Sequence, residues 1–123
     1  MQSVLCVGRA LVISPHLDDA VLSCGEFLAS HVDATVATVF TGMPQGGQSL
    51  TDYDRQCGFS SAEQAMRTRW SEDKKALSVL GVDLIHLDLL DSQYSPLPDV
   101  QHLVRRLRPV LTAPQWQTVF FPM

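Results

Sequence analysis

The chain opens its readable pattern with Arg9-Ala-Leu-Val-Ile-Ser14, a short run of branched apolar residues stopped by Pro15. Such a run predicts a buried strand. From Asp18 to Ser30 the apolar residues fall at Ala20, Val21, Cys24, Phe27 and Leu28. That is helical spacing, with aspartates where a helix N-terminus takes caps and negative charge. Ala34 to Thr41 predicts a second strand. Residues 42 to 61 are rich in Gly, Gln, Ser and Asp and carry no period. A loop of that length inside a folded domain is uncommon and usually functional. Ala62 to Leu80 predicts a long helix closed by Gly81. Val82 to Leu87 predicts a third strand and Leu89 to Pro98 a loop. Asp99 to Leu111 predicts a last helix, apolar at Val100, Leu103, Val104, Leu107 and Leu111, with Arg105, Arg106 and Arg108 as a solvated stripe. Thr118 to Phe121 predicts a fourth strand.

Strand and helix alternate throughout. The fold class is therefore α/β, a parallel sheet built from right-handed βαβ units with helices on both faces. In such sheets ligands bind outside the carboxyl ends of the strands. Those ends are Ser14–Asp19, Thr41–Met43, Asp88–Asp91 and Pro122–Met123. The 123 residues, 46% hydrophobic and 18% charged, suit one domain with a real core. The pattern stops inside its fourth strand, so residues 1–123 are expected to be the N-terminal portion of a single domain whose C-terminal part, its nearest partner, is missing. A net charge of −4 argues against nucleic acid as a partner. No secretory signal pattern and no apolar run of about 20 residues is present. No membrane span is expected, and the expected location is cytoplasmic. Cys6, Cys24 and Cys57 lack the spacing of a disulfide framework or zinc knuckle and read as small buried hydrophobes. A Cys6–Cys57 bridge stays open.

One cluster carries chemistry. Ser14-Pro15-His16-Leu17-Asp18-Asp19 places an imidazole and two carboxylates at the turn from the first strand into the first helix. His16 and Asp19, three apart, can converge on one cation through nitrogen and oxygen, a donor set that suits zinc. Asp18 can then act on a zinc-bound water as a general base. The plainer alternative makes Asp18 or Asp19 a helix cap and His16 a turn residue. The turn has no G-x-G-x-x-G, so the dinucleotide fingerprint is absent.

The run Pro15-His16-Leu17-Asp18-Asp19-Ala20-Val21-Leu22-Ser23-Cys24-Gly25 resembles the signature of the LmbE-like zinc deacetylases, the family of N-acetylglucosaminyl-phosphatidylinositol de-N-acetylase (PIG-L). The usual form there is A-H-P-D-D-E. Arg69-Trp-Ser-Glu72-Asp-Lys-Lys-Ala76-Leu-Ser-Val-Leu80-Gly81 resembles the family's R-x-x-E-x-x-x-A-x-x-x-L-G helix. Leu87-Asp-Leu-Leu-Asp91 resembles its L-G-x-x-D loop. The resemblance implies a Rossmann-like fold and a zinc-dependent amidohydrolase that removes the acetyl group of an N-acetylglucosaminyl conjugate. It implies His16 and Asp19 as zinc ligands, Asp18 as the general base, and Arg69 and Asp91 as substrate-binding residues.

Two positions depart from the pattern: Leu17 stands for Pro, and Ala20 for the acidic residue. The family's third zinc ligand, a His in an H-x-x-H-like motif, is expected beyond Met123. None of His31, His86 and His102 is read as its substitute. Met43, Pro44, Tyr53 and Phe59 in the 42–61 segment are expected to form an apolar wall for an aglycone. The overall look is similar to family members that act on glycopeptide-antibiotic pseudoaglycones, which makes a small-molecule glycoconjugate the expected partner. Small N-acetylglucosaminides and thiol-cofactor precursors are the competing substrates. A non-catalytic sugar-binding module is the competing class.

Overall fold

A computed structural model describes residues 9–30, 33–46 and 49–121. Its elements run β1 (Ala10–Ser14), α1 (Asp19–Ser30), β2 (Ala34–Thr38), α2 (Asp52–Gln56), α3 (Ala62–Leu80), β3 (Asp83–His86), α4 (Val100–Leu111) and β4 (Thr118–Phe120). The four strands form one parallel sheet in the order β3-β2-β1-β4.

Alternation along the strands sorts the core into two layers. Ala10, Val12, Ala34 and Val36 face α1 and α3, where they meet Ala20, Leu28 and Leu77. Leu11, Ile13 and Ala37 face the other way, toward Leu103 and Leu107 of α4. Both faces of the sheet are therefore covered, as the near-continuous apolar strands require. The register aligns Ser14, Thr38 and His86 in one row at the carboxyl edge. β1 is central, so the turn that follows it opens at the middle of that edge.

The long helix has the predicted bounds. Ser61 caps it by accepting the Gln64 N–H at 3.0 Å, and Gly81 ends it in the left-handed region at φ 73°. Asp99 likewise caps α4 through the His102 N–H at 2.7 Å. Four expectations are corrected. β2 ends at Thr38 rather than Thr41, because the chain turns to run against the segment after β3, where the Gly42 N–H reaches Leu89 O at 2.8 Å. The 42–61 segment is not all loop: Thr51 caps the short α2 by accepting the Asp54 N–H at 3.0 Å. Among the basic stripe, Arg106 is more than solvated; its Nε donates to Leu87 O at 3.1 Å, just past β3. Cys24 is a half-buried free thiol and Cys57 is exposed rather than buried. Cys6 and His31 lie outside the described residues.

Gly42 sits where a side chain has no room. A Cβ there would lie 2.9 Å from the backbone oxygens of Asp88 and Leu89. Gly42→Ala is expected to destabilise the fold by about 1–3 kcal/mol, as overpacking does. Urea unfolding measures this, and an unchanged midpoint would show that the 88–90 backbone yields freely. Among the described residues no helix is long and apolar enough to cross a membrane.

Candidate active site

Ser14 pins the turn after β1. Its hydroxyl donates to His16 O at 2.8 Å and accepts the Ala20 N–H at 3.2 Å. Between these anchors the backbone passes through Asp18 in the left-handed region, φ 73°. That conformation is uncommon outside glycine but tolerated by Asp and Asn. The Asp18 carbonyl accepts the Leu22 N–H at 2.9 Å, which starts α1. Ala20, where the family pattern has an acidic residue, is 5% exposed and packs into the core.

The turn brings the two expected ligands together. His16 Nδ1 lies 3.3 Å from Asp19 Oδ2. Two donors on a tetrahedral zinc ion with bonds of about 2.0–2.1 Å lie about 3.3–3.4 Å apart. The pair therefore fits two places around such an ion. Asp19 Oδ2 also accepts the His16 N–H at 2.9 Å, so the same carboxylate steadies the turn. The other imidazole nitrogen, Nε2, faces Asp91 Oδ2 at 3.5 Å. A carboxylate on the far nitrogen is the usual support of a metal-binding histidine. Phe40 stacks on the imidazole, 5.4 Å between centroids at 27°. Among the described residues no group of three or more His, Cys, Asp or Glu is arranged to hold a metal.

Asp18 stands beside this pair, and its carboxyl pKa is raised. Burial is the largest cause, followed by the charges of Asp73, Glu72 and Asp19.

Arg69 reaches the same place from α3. A cavity of about 260 Å³ is bounded by His16, Asp19, Tyr53, Arg69, Asp91 and Gln93. A second, about 420 Å³, lies across Leu17 and Tyr53 and is bounded by Asp18, Phe59, Arg69 and Glu72. Arg69 thus faces both. Its Nη2 donates to Asp54 Oδ1 at 2.7 Å, and its guanidinium lies 5.4 Å from the Tyr53 ring and 5.2 Å from the Phe59 ring. Burial works to lower the Arg69 pKa, but the hydrogen bond and charge of Asp54 outweigh it and raise the value. A cleft with Arg69 and Asp91 on its walls offers donors and acceptors for sugar hydroxyls, and aromatic rings for apolar faces. Tyr53 and Phe59 line it as expected. Met43 does not, because it packs with Leu17 and Trp70 against Ala62 and Met66, and Pro44 is buried.

Three residues of this region escaped the sequence reading. Asp54 is completely buried, and its second oxygen accepts the Tyr94 hydroxyl. Burial, then the Asp54 carboxylate, push the Tyr94 phenol pKa up. Asp73, on α3, accepts the Asp18 N–H at 3.0 Å. The Thr51-x-x-Asp54 cap was the available signal for the first; nothing local marked the other two. His86 ends β3 with a side chain only 10% exposed, and His102 lies on α4.

The fold has known counterparts. A diacetylchitobiose deacetylase of Thermococcus kodakarensis is 30% identical over 117 residues, 89% of this chain and 42% of that protein. The solved A40926 pseudoaglycone deacetylase Dbv21 is 38% identical with a TM-score of 0.68, covering 84% of this chain and 44% of that one. A deacetylase–teicoplanin complex from teicoplanin biosynthesis and the zinc-inhibited form of teicoplanin deacetylase Orf2 are each 41% identical with TM-scores of 0.65. Both cover 74% of this chain, which spans 38% and 36% of theirs. The chain therefore spans less than half the length of these relatives. The sequence pattern of PIG-L, GlcNAc-PI de-N-acetylase, matches residues 11–123, and the chain belongs to that family of deacetylases.

Proposed function

We propose that this chain carries the metal-binding and base-bearing part of a zinc-dependent N-deacetylase acting on an N-acetylglucosaminyl conjugate. The observation that carries this reading is the 3.3 Å approach of His16 Nδ1 to Asp19 Oδ2, with Asp18 between them in sequence. His16 and Asp19 would hold the zinc ion, with a third ligand from beyond Met123. Bound there, zinc supplies Lewis-acid activation of water and of the acetamide carbonyl.

The chain's own residues do the rest. Asp18, next to the ligand pair, takes the proton of the attacking water as general base. Asp91 holds the His16 imidazole by its far nitrogen and lines the cleft. Arg69 and Asp91 bind the sugar. Tyr53 and Phe59 offer rings to the aglycone. The amine leaves with a proton returned by Asp18 or given by a residue beyond 123. A glycopeptide-antibiotic pseudoaglycone is the favoured substrate, supported by the likeness to deacetylases from teicoplanin and A40926 biosynthesis. The location read from the sequence is cytoplasmic.

The test uses the full-length protein, zinc analysis and acetate release from an N-acetylglucosaminyl pseudoaglycone. Wild type is expected to hold zinc and release acetate. His16→Ala is expected to lower bound zinc by about 10- to 100-fold in affinity or more, since a direct ligand matters at least as much as its support. Zinc stoichiometry unchanged in that variant would remove the ligand assignment. Zinc and sugar binding without acetate release would point instead to a non-catalytic sugar-binding module.

A further inference from the structure

Behind Asp18 stands a second pair of ionisable groups that the deacetylase reading leaves unused. Asp73 lies on the inner face of α3, 2% exposed. Its Oδ1 accepts the Asp18 backbone N–H at 3.0 Å. Its Oδ2 is buried without a hydrogen-bond partner, and so is His86 Nε2. These two atoms face each other at 3.9 Å.

A carboxylate oxygen accepts and an imidazole N–H donates, so each group is the partner the other lacks. Buried polar groups are rarely left unmet, which makes their juxtaposition informative. His86 is also held in place. The Trp70 ring packs on it at 4.6 Å and 58°, and Trp70 Nε1 is fixed by donating to Thr41 O at 2.9 Å. His86 is in register with Thr38, and Thr38 with Ser14, the residue that anchors the turn on its other side. The Asp18 turn is thus held from Ser14 on the sheet and from Asp73 on the helix.

We propose that Asp73 and His86 are a positioning pair for Asp18. His86 Nε2 faces Asp73 Oδ2 at 3.9 Å and steadies that carboxylate. Asp73 Oδ1 holds the Asp18 N–H and with it the left-handed backbone from which the Asp18 carboxylate projects. The inference rests on the reading of Asp18 as the base. Neither residue touches substrate; both act through the direction they give Asp18. Small displacements of a catalytic group carry large rate penalties, so the pair should show in kcat.

The experiment is steady-state kinetics on the zinc-loaded full-length protein. Asp73→Leu, branched like Asp at Cγ but bulkier and without an acceptor, is expected to lower kcat by about 10- to 100-fold. KM should stay within about twofold and zinc content should not change, because neither cleft walls nor ligands are touched. Asp73→Asn keeps an acceptor oxygen and is expected to recover most of the loss. His86→Leu is expected to lower kcat, His86→Gln to recover part of it, and D73L/H86L to be no slower than D73L. If Asp73→Leu does not fold, the comparison of H86Q with H86L decides. Wild-type kcat in D73L, a parallel change of KM and zinc content with kcat, or H86Q no faster than H86L would overturn the proposal. Asp18→Asn run alongside separates the causes. A fast D18N removes the base reading and the pair with it, whereas a slow D18N beside a normal D73L removes the pair alone.

Discussion

Asp18→Asn should lower kcat by about 10²- to 10⁴-fold, the usual share of a general base. The choice of Asn matters because of the backbone. Asp18 sits at φ 73°, a conformation that Asn adopts readily and Ala does not. Alanine would confound lost chemistry with a strained turn. In Asn the backbone N–H still reaches Asp73 and the carbonyl still starts α1, since both bonds belong to the main chain. His16 and Asp19 are untouched, so zinc content should match wild type. The thermal midpoint should hardly move. A variant that binds zinc, binds substrate and turns over slowly is the signature of a missing proton acceptor. Near-normal turnover with zinc in place would place the base elsewhere.

The same turn shows how far the sequence alone carries. The chemistry proposed for it was legible because metal ligation and base catalysis need particular side chains at short spacing, and His16, Asp18 and Asp19 are contiguous enough to be read as a unit. The α3 helix was legible from end to end for a similar reason. Ser61 and Gly81 act within a few residues of their own positions, so the signals that start and stop the helix are local. The support of the site was not legible, because it is made by residues far apart. Asp73 lies in a polar stretch beside Glu72, Lys74 and Lys75 and reads as a solvated helix charge. Only the packing of α3 beside the Asp18 turn, 55 residues away, turns it inward. Asp54 lies in a segment with no period, and its burial depends on Arg69 and Tyr94 arriving from two other elements. Arg69 itself was placed at the cleft by resemblance. The ion pair that sets its direction came only with the fold.

That ion pair carries the second large effect. Asp54→Ala is expected to destabilise the protein by about 3 kcal/mol, the low end of the range for breaking a buried pair. The low end applies because the Arg69 side chain keeps 19% exposure and water can still reach its charge, whereas Asp54 has none. The loss has three parts. Arg69 is left with a poorly solvated charge. The Tyr94 hydroxyl loses the acceptor that holds it. The short α2 loses its main tie to α3, leaving the contact of the Thr51 hydroxyl with Gln93 at 2.8 Å as the nearest remaining anchor of this segment. Since α2 carries Tyr53 and the pair orients Arg69, the wall of the cleft loosens while the zinc turn does not. Urea unfolding should therefore show the lower stability, and kinetics should show KM for the glycoconjugate rising more than kcat falls. Asp54→Asn, which keeps one acceptor oxygen for Arg69 and turns its amide N–H toward the Tyr94 hydroxyl, without the charge, should lose less of both. An Asp54→Ala variant with wild-type stability and wild-type KM would mean that the buried pair neither holds the 42–61 segment nor shapes the cleft.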